Sequence, residues 1–160
     1  MKTVVLGLGN PILCDDGVGP RVARELEGRV DPEKVSVLEA AVGGLALLDL
    51  IVGCDRAIIV DAIQTQDGKP GQIYRLAPDA LDSTLHVASP HDVNFATALE
   101  FGRRLELPLP REIVIFAIEA ADVTTFREDC TPQVASAIPV CAAMVLQALD
   151  EACAPRTEHR

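Results

Sequence analysis

Tryptophan is absent, and the 160 residues hold only five aromatic side chains, one tyrosine and four phenylalanines. A core must therefore be aliphatic, built from Val, Ile, Leu and Ala, which with the other hydrophobic types make up 49% of the chain. Basic residues are also few: 14 Lys and Arg against 24 Asp and Glu, a formal net charge of −10. Nucleic acid is excluded as the main partner, because phosphate backbones require basic patches and these cations are scattered. Five cysteines, Cys14, Cys54, Cys130, Cys141 and Cys153, form no C-x-x-C pair. An odd count without that spacing argues against a disulfide framework or a zinc knuckle and for reduced thiols. No uninterrupted apolar run approaches the roughly 20 residues of a membrane span. The chain enters a strand directly as Met1-Lys2-Thr3-Val4, without a signal-peptide pattern. The expectation is a cytoplasmic, monomeric protein: a single α/β domain over 1–153, followed by a disordered tail over 154–160.

What is present is alternation. Short β-branched runs occur at Thr3–Leu8, Lys34–Leu38 and Ala57–Val60, and Ile113–Ile118 is apolar enough for a fully buried central strand. Gln72–Leu76 is weaker and suits an edge. Between the runs lie helical patterns at Val18–Arg29, Leu45–Val52, Pro90–Leu105 and Pro132–Ala152. The third opens Ser89-Pro90-His91-Asp92, a cap, a proline at the first helical position and an acid three residues after the cap. Thr131 is the expected cap of the last. This order predicts a three-layer α/β/α sandwich around a mostly parallel, twisted sheet of about five strands.

In such a sheet the loops after parallel strands gather at one edge, where ligands bind. Three polar residues fall there. Asp16 follows the first strand, Asp61 ends Ala57-Ile58-Ile59-Val60, and His91 lies in the first turn of a capped helix. Two carboxylates and an imidazole suit a borderline divalent ion such as nickel or zinc. The positive end of a helix also favours a neutral imidazole at position 91, the form a ligand needs. The plainer alternatives are that Asp16 caps the next helix, Asp61 binds loop amides and His91 lies on the surface. Gly7-Leu8-Gly9 invites a dinucleotide reading, with Glu39 as the acid for a ribose. The G-x-G-x-x-G pattern fails, however, at Ile12, and an acid pair would repel a pyrophosphate. Cys14 is a poor nucleophile beside those anions. Within the pair, Asp16 is the candidate ligand and Asp15 the residue that orients the loop.

Three stretches together resemble the hydrogenase maturation proteases: Gly-Leu-Gly-Asn-Pro-Ile-Leu-Cys-Asp-Asp-Gly-Val-Gly at 7–19, Ile-Ile-Val-Asp-Ala-Ile at 58–63, and Ser-Pro-His at 89–91. The likeness extends to about Leu149. It implies an endopeptidase that trims the C-terminal extension of a nickel–iron hydrogenase large-subunit precursor after nickel insertion. By position the family's nickel ligands fall on Asp16, Asp61 and His91, the first being Glu in some members. The same three are the candidate catalytic residues, with nickel supplied by the substrate and no organic cofactor. Many members carry an Asp-Gly-Gly-Thr-like segment after the second strand that helps select the partner. Here it reads Glu39-Ala40-Ala41-Val42-Gly43-Gly44, making Glu39 the candidate for substrate recognition. Only His86, His91 and His159 are available, which disfavours Ser-His-Asp or Cys-His chemistry. The competing readings are a non-proteolytic binding module or chaperone for the precursor, and a nucleotide-binding α/β domain. Glu119–Cys130 carries no assignable motif.

Overall fold

The five apolar runs become the five strands of one sheet in the computed structural model, which describes residues 1–41, 43, 45–78 and 95–153. In chain order these are β1 (Thr3–Leu8), β2 (Val35–Ala40), β3 (Arg56–Ile63), β4 (Ile73–Leu76) and β5 (Glu112–Glu119). Their spatial order is β2-β1-β3-β5-β4. β1 pairs in parallel with β2 and β3, β3 pairs in parallel with β5, and β4 closes one edge antiparallel to β5. The expected sandwich of mostly parallel strands is the observed fold, with the weak fourth strand on an edge.

Among the described residues, four α-helices supply the outer layers: α1 (Val18–Glu25), α2 (Ala46–Ile51), α3 (Phe95–Arg104) and α4 (Pro132–Cys153). Strand side chains alternate between faces. Ile58, Val60, Phe116 and Ile118 therefore meet Val18 and Val22 of α1, Leu26 just after it, and Val134, Cys141 and Val145 of α4. Ala57, Ile59, Ile63 and Ile115 meet Leu47 and Ile51 of α2 and Phe95 and Leu99 of α3. Both cores are mainly aliphatic, with Phe95 and Phe116 the aromatic residues among their buried members and Tyr74 packed against one of them. By length and composition the stretch Pro132–Glu151 is apolar enough to cross a membrane. Here it is a layer helix whose Val134, Ala137, Cys141, Ala142, Val145 and Ala148 are buried against the sheet and α1. At the foot of the sheet the buried Arg56 donates to the Ala148 carbonyl at 2.7 Å and pairs with Glu112 at 2.9 Å, anchoring α4.

Some boundaries differ from expectation. β3 runs three residues past Val60, because its neighbour β5 continues to Glu119 and still offers partners to Asp61, Ala62 and Ile63. Asp61 therefore lies within the strand instead of ending it. α1 stops at Glu25, before Gly28 takes a positive φ of 73°. The cap at Ser89-Pro90-His91-Asp92, Val42 and Gly44 of the loop before α2, and the tail 154–160 lie outside the described residues.

Topology locates the crevice. From β1 the chain moves to β2 on one side, then crosses back to β3 on the other, so the order reverses between β1 and β3. At such a switch point the loops leave in opposite directions and open a cleft beyond the strand ends. Asp16 follows β1 and Asp61 lies on β3.

Candidate active site

The loop after β1 is drawn tightly over the strand ends by glycine. A Cβ on Gly19 would lie 2.2 Å from the Leu8 carbonyl oxygen and 2.5 Å from that of Val60. Only glycine lets the start of α1 approach the ends of β1 and β3 so closely. Gly9, with φ of 141°, would place a Cβ 1.8 Å from the Asp16 carbonyl oxygen. These glycines shape a turn around protein backbone, which explains why the dinucleotide pattern is incomplete.

Cys14–Gly17 forms one turn of 3-10 helix, and all four residues are buried. Cys14 has a φ of 51°, left-handed backbone that costs a non-glycine residue on the order of 1 kcal/mol and must be held by its surroundings. The surroundings are the segment following β5. The Cys14 amide donates to the Arg127 carbonyl at 2.8 Å, the Arg127 amide to the Ile12 carbonyl at 2.8 Å, and the Asp15 amide to the Asp122 carbonyl at 2.9 Å. The unassigned stretch 119–130 thus has a structural role: it braces the acid-bearing loop.

Asp15 and Asp16 then diverge. Asp15 is fully buried, and its carboxylate accepts from the amides of Ala121 at 2.9 Å, Asp122 at 3.0 Å and Thr131 at 2.7 Å. The Thr131 hydroxyl also donates to both oxygens of Asp15, at 2.9 and 3.0 Å. Thr131 does precede α4 as expected, but its hydroxyl is committed to Asp15. Asp16 is 5% exposed, and its Oδ2 accepts the Asn10 amide at 2.8 Å. Asp61 is likewise buried, and its Oδ1 accepts the amide of Ala62 at 2.9 Å. The 3-10 turn packs on β3, so the two carboxylates flank the same switch point. Among the described residues no three His, Cys, Asp or Glu side chains converge on a metal-sized site. Asp16 and Asp61 supply two hard oxygen donors, and His91 lies outside the described residues.

Glu39 sits at the rim of β2, opposite Gly7, in a half-exposed ion pair with Arg24 at 2.8 Å. Such a pair adds at most about 1 kcal/mol to stability. Sequence reasoning missed Glu119, although it ends the run Ile113–Ile118 just as Asp61 follows Ala57–Val60. Glu119 is 1% exposed and accepts the Thr65 amide at 3.0 Å together with the Thr65 hydroxyl, which ties the loop after β3 to β5.

The thiols near the site are suppressed. Burial, reinforced by the charge of Asp15, raises the pKa of Cys14 and pushes Cys130 up to about 11. Burial alone takes Cys141 to about 12. None of these three is a thiolate at neutral pH, so none is poised as a nucleophile.

The sequence profile described as hydrogenase maturation protease matches residues 20–148, a span that contains both Asp61 and His91. The chain belongs to the hydrogenase maturation protease family. It is 32% identical over 116 residues to the hydrogenase 2 maturation protease of Escherichia coli K12, covering 67% of this chain and 71% of that protein. It is 28% identical over 158 residues to the hydrogenase expression/formation protein HupD of Bradyrhizobium diazoefficiens, covering 94% and 79%. In three dimensions it is similar to the hydrogenase maturating endopeptidase HybD from E. coli, with a TM-score of 0.82 and 28% identity. That match covers 95% of this chain and 94% of the other. This member of the family is accordingly a peptidase, and the buried acids at its switch point lie where an α/β fold places its chemistry.

Proposed function

We propose that this protein cleaves the C-terminal extension from the large-subunit precursor of a nickel–iron hydrogenase, after nickel has been inserted. Asp16, Asp61 and His91 are the proposed contacts to nickel carried in by the substrate. The observation carrying this reading is the pairing of two buried carboxylates, one after β1 and one on β3, across the switch point of a hydrogenase maturation protease. Two carboxylates and one imidazole without a thiolate make a weak isolated site. They suit an ion already held by a substrate better than a resident cofactor. Nickel so bound would supply Lewis-acid chemistry at the scissile bond, the alternative to activation of water by a carboxylate. The chain's own part is to hold the precursor by its nickel, with the extension laid over the cleft. Either of the two carboxylates, Asp16 or Asp61, is the proposed acceptor of a proton from attacking water. Glu39, beside the same edge, is the proposed partner-selecting contact. The proposed setting is cytoplasmic, with the protein acting as a monomer.

The test is a processing assay on candidate large-subunit precursors with and without nickel, read by the mass of the released peptide. A discrete peptide released only from nickel-loaded precursor supports the reading. Equal cleavage of nickel-free precursor overturns the role given to the metal. Binding without cleavage when nickel is present would favour a chaperone instead.

A further inference from the structure

Phe126 is 81% exposed, in a chain that has only four other aromatic residues. Beside it, Ile12 is 47% exposed. An isolated β-bridge pairs Leu13 with Arg127 in parallel, which sets Ile12 and Phe126 next to one another in register. The segment that carries Phe126 is tied down on both sides. On one side the Asp122 carboxylate accepts the amides of Thr124 and Thr125, each at 3.0 Å, and both of their hydroxyls. On the other the bridge and the buried Asp15 fix the backbone to the loop after β1. The fold thus braces an apolar pair at the surface, with Ile12 four residues before Asp16 in the same loop.

From this arrangement we infer that Ile12 and Phe126 form a docking anchor for the polypeptide substrate, receiving an apolar side chain that is flanked by lysine or arginine. The inference rests on the proposed precursor cleavage and adds where the precursor is held beside its nickel. Three features favour this occupant. The patch is continuous with the loop that carries Asp16, through the Leu13–Arg127 bridge that adjoins the Cys14–Gly17 turn. A rigid aromatic on a braced segment binds at low entropic cost, the usual character of an interface hot spot. The exposed residues beside Phe126 include Glu128 and Asp129, with the Asp122 carboxylate at the turn and Arg127 the one basic neighbour in the segment. That local charge complements a basic segment. A second copy fits poorly: a stable interface needs roughly 800 Å² from each partner. Two side chains fall well short, and two chains of charge −10 repel.

The test is Michaelis kinetics of Phe126→Ser, Ile12→Ser and Phe126→Trp on a nickel-loaded precursor that the wild type processes. Circular dichroism confirms the fold of each variant. Phe126→Ser should raise KM about tenfold and Ile12→Ser several-fold, with kcat within twofold of wild type, while Phe126→Trp keeps KM near normal. Raising salt should raise the wild-type KM, as expected of a basic segment on an acidic rim. A KM within twofold of wild type in both serine variants overturns the anchor and leaves the protease reading intact. Sedimentation that shows a Phe126-dependent dimer also overturns it, in favour of a second copy. If the wild type cleaves no nickel-loaded precursor, the protease reading falls and the anchor with it.

Discussion

Asp15 and Asp16 are sequence neighbours with identical side chains, and the fold sets them to different work. Asp15 faces three backbone amides and a hydroxyl, all serving as donors, so the site calls for an acceptor at both carboxyl oxygens. Asp15→Ala would leave those buried donors without an acceptor, and Asp15→Asn would turn an NH2 group toward them. We expect Asp15→Ala to cost about 3 kcal/mol or more, and Asp15→Asn to recover only part of it, measured as the shift in urea midpoint. Asp16 faces the other way along the loop, where its Oδ2 accepts the Asn10 amide beside the end of β1. Adjacency in sequence pointed to an acid-bearing loop. The division of labour was visible only as an expectation, because the donors to Asp15 come from more than 100 residues away.

At the scale of elements, strands and helices could be read from apolar periodicity because each buries a regular face. The segment after β5 could not. Its order comes from single hydrogen bonds: a bridge at Leu13 and Arg127, the Asp15 clamp and the turn at Asp122. None of these has a period. The boundary error at β3 has a similar origin, since the length of that strand is set by how far β5 extends beside it. The turn at Asp122 also makes a prediction about acid. Hydrogen bonds from the Thr125 hydroxyl and the amides of Thr125 and Thr124 hold the Asp122 carboxyl down at about 2, below its ordinary 3.8. A carboxylate whose pKa is lowered by folding stabilises the native state above its unfolded pKa, and loses that effect as pH falls through the folded value. Asp122→Asn should therefore lower the urea midpoint near pH 5, with the gap to wild type closing as pH approaches 2. A constant gap across that range would contradict the assignment. The group is on the surface, so the effect is expected to be modest.

For the whole molecule, the central point is where topology brings distant residues. Residues 16 and 61 meet at one edge because the sheet reverses its strand order between β1 and β3, and because Gly19 lets α1 start against the ends of both strands. The sequence supports an α/β alternation and the rule that parallel strands send their loops to one edge. It does not give the strand order, which depends on long-range pairing. The same limit explains Glu119: by sequence it resembles Asp61, and only the fold reveals its commitment to Thr65. The most direct measurement is processing of nickel-loaded precursor by Asp16→Ala, Asp61→Ala and His91→Ala, each checked for native circular dichroism. The account predicts three folded proteins that release no C-terminal peptide, a loss of at least about a hundredfold in rate. Normal processing by all three would contradict it.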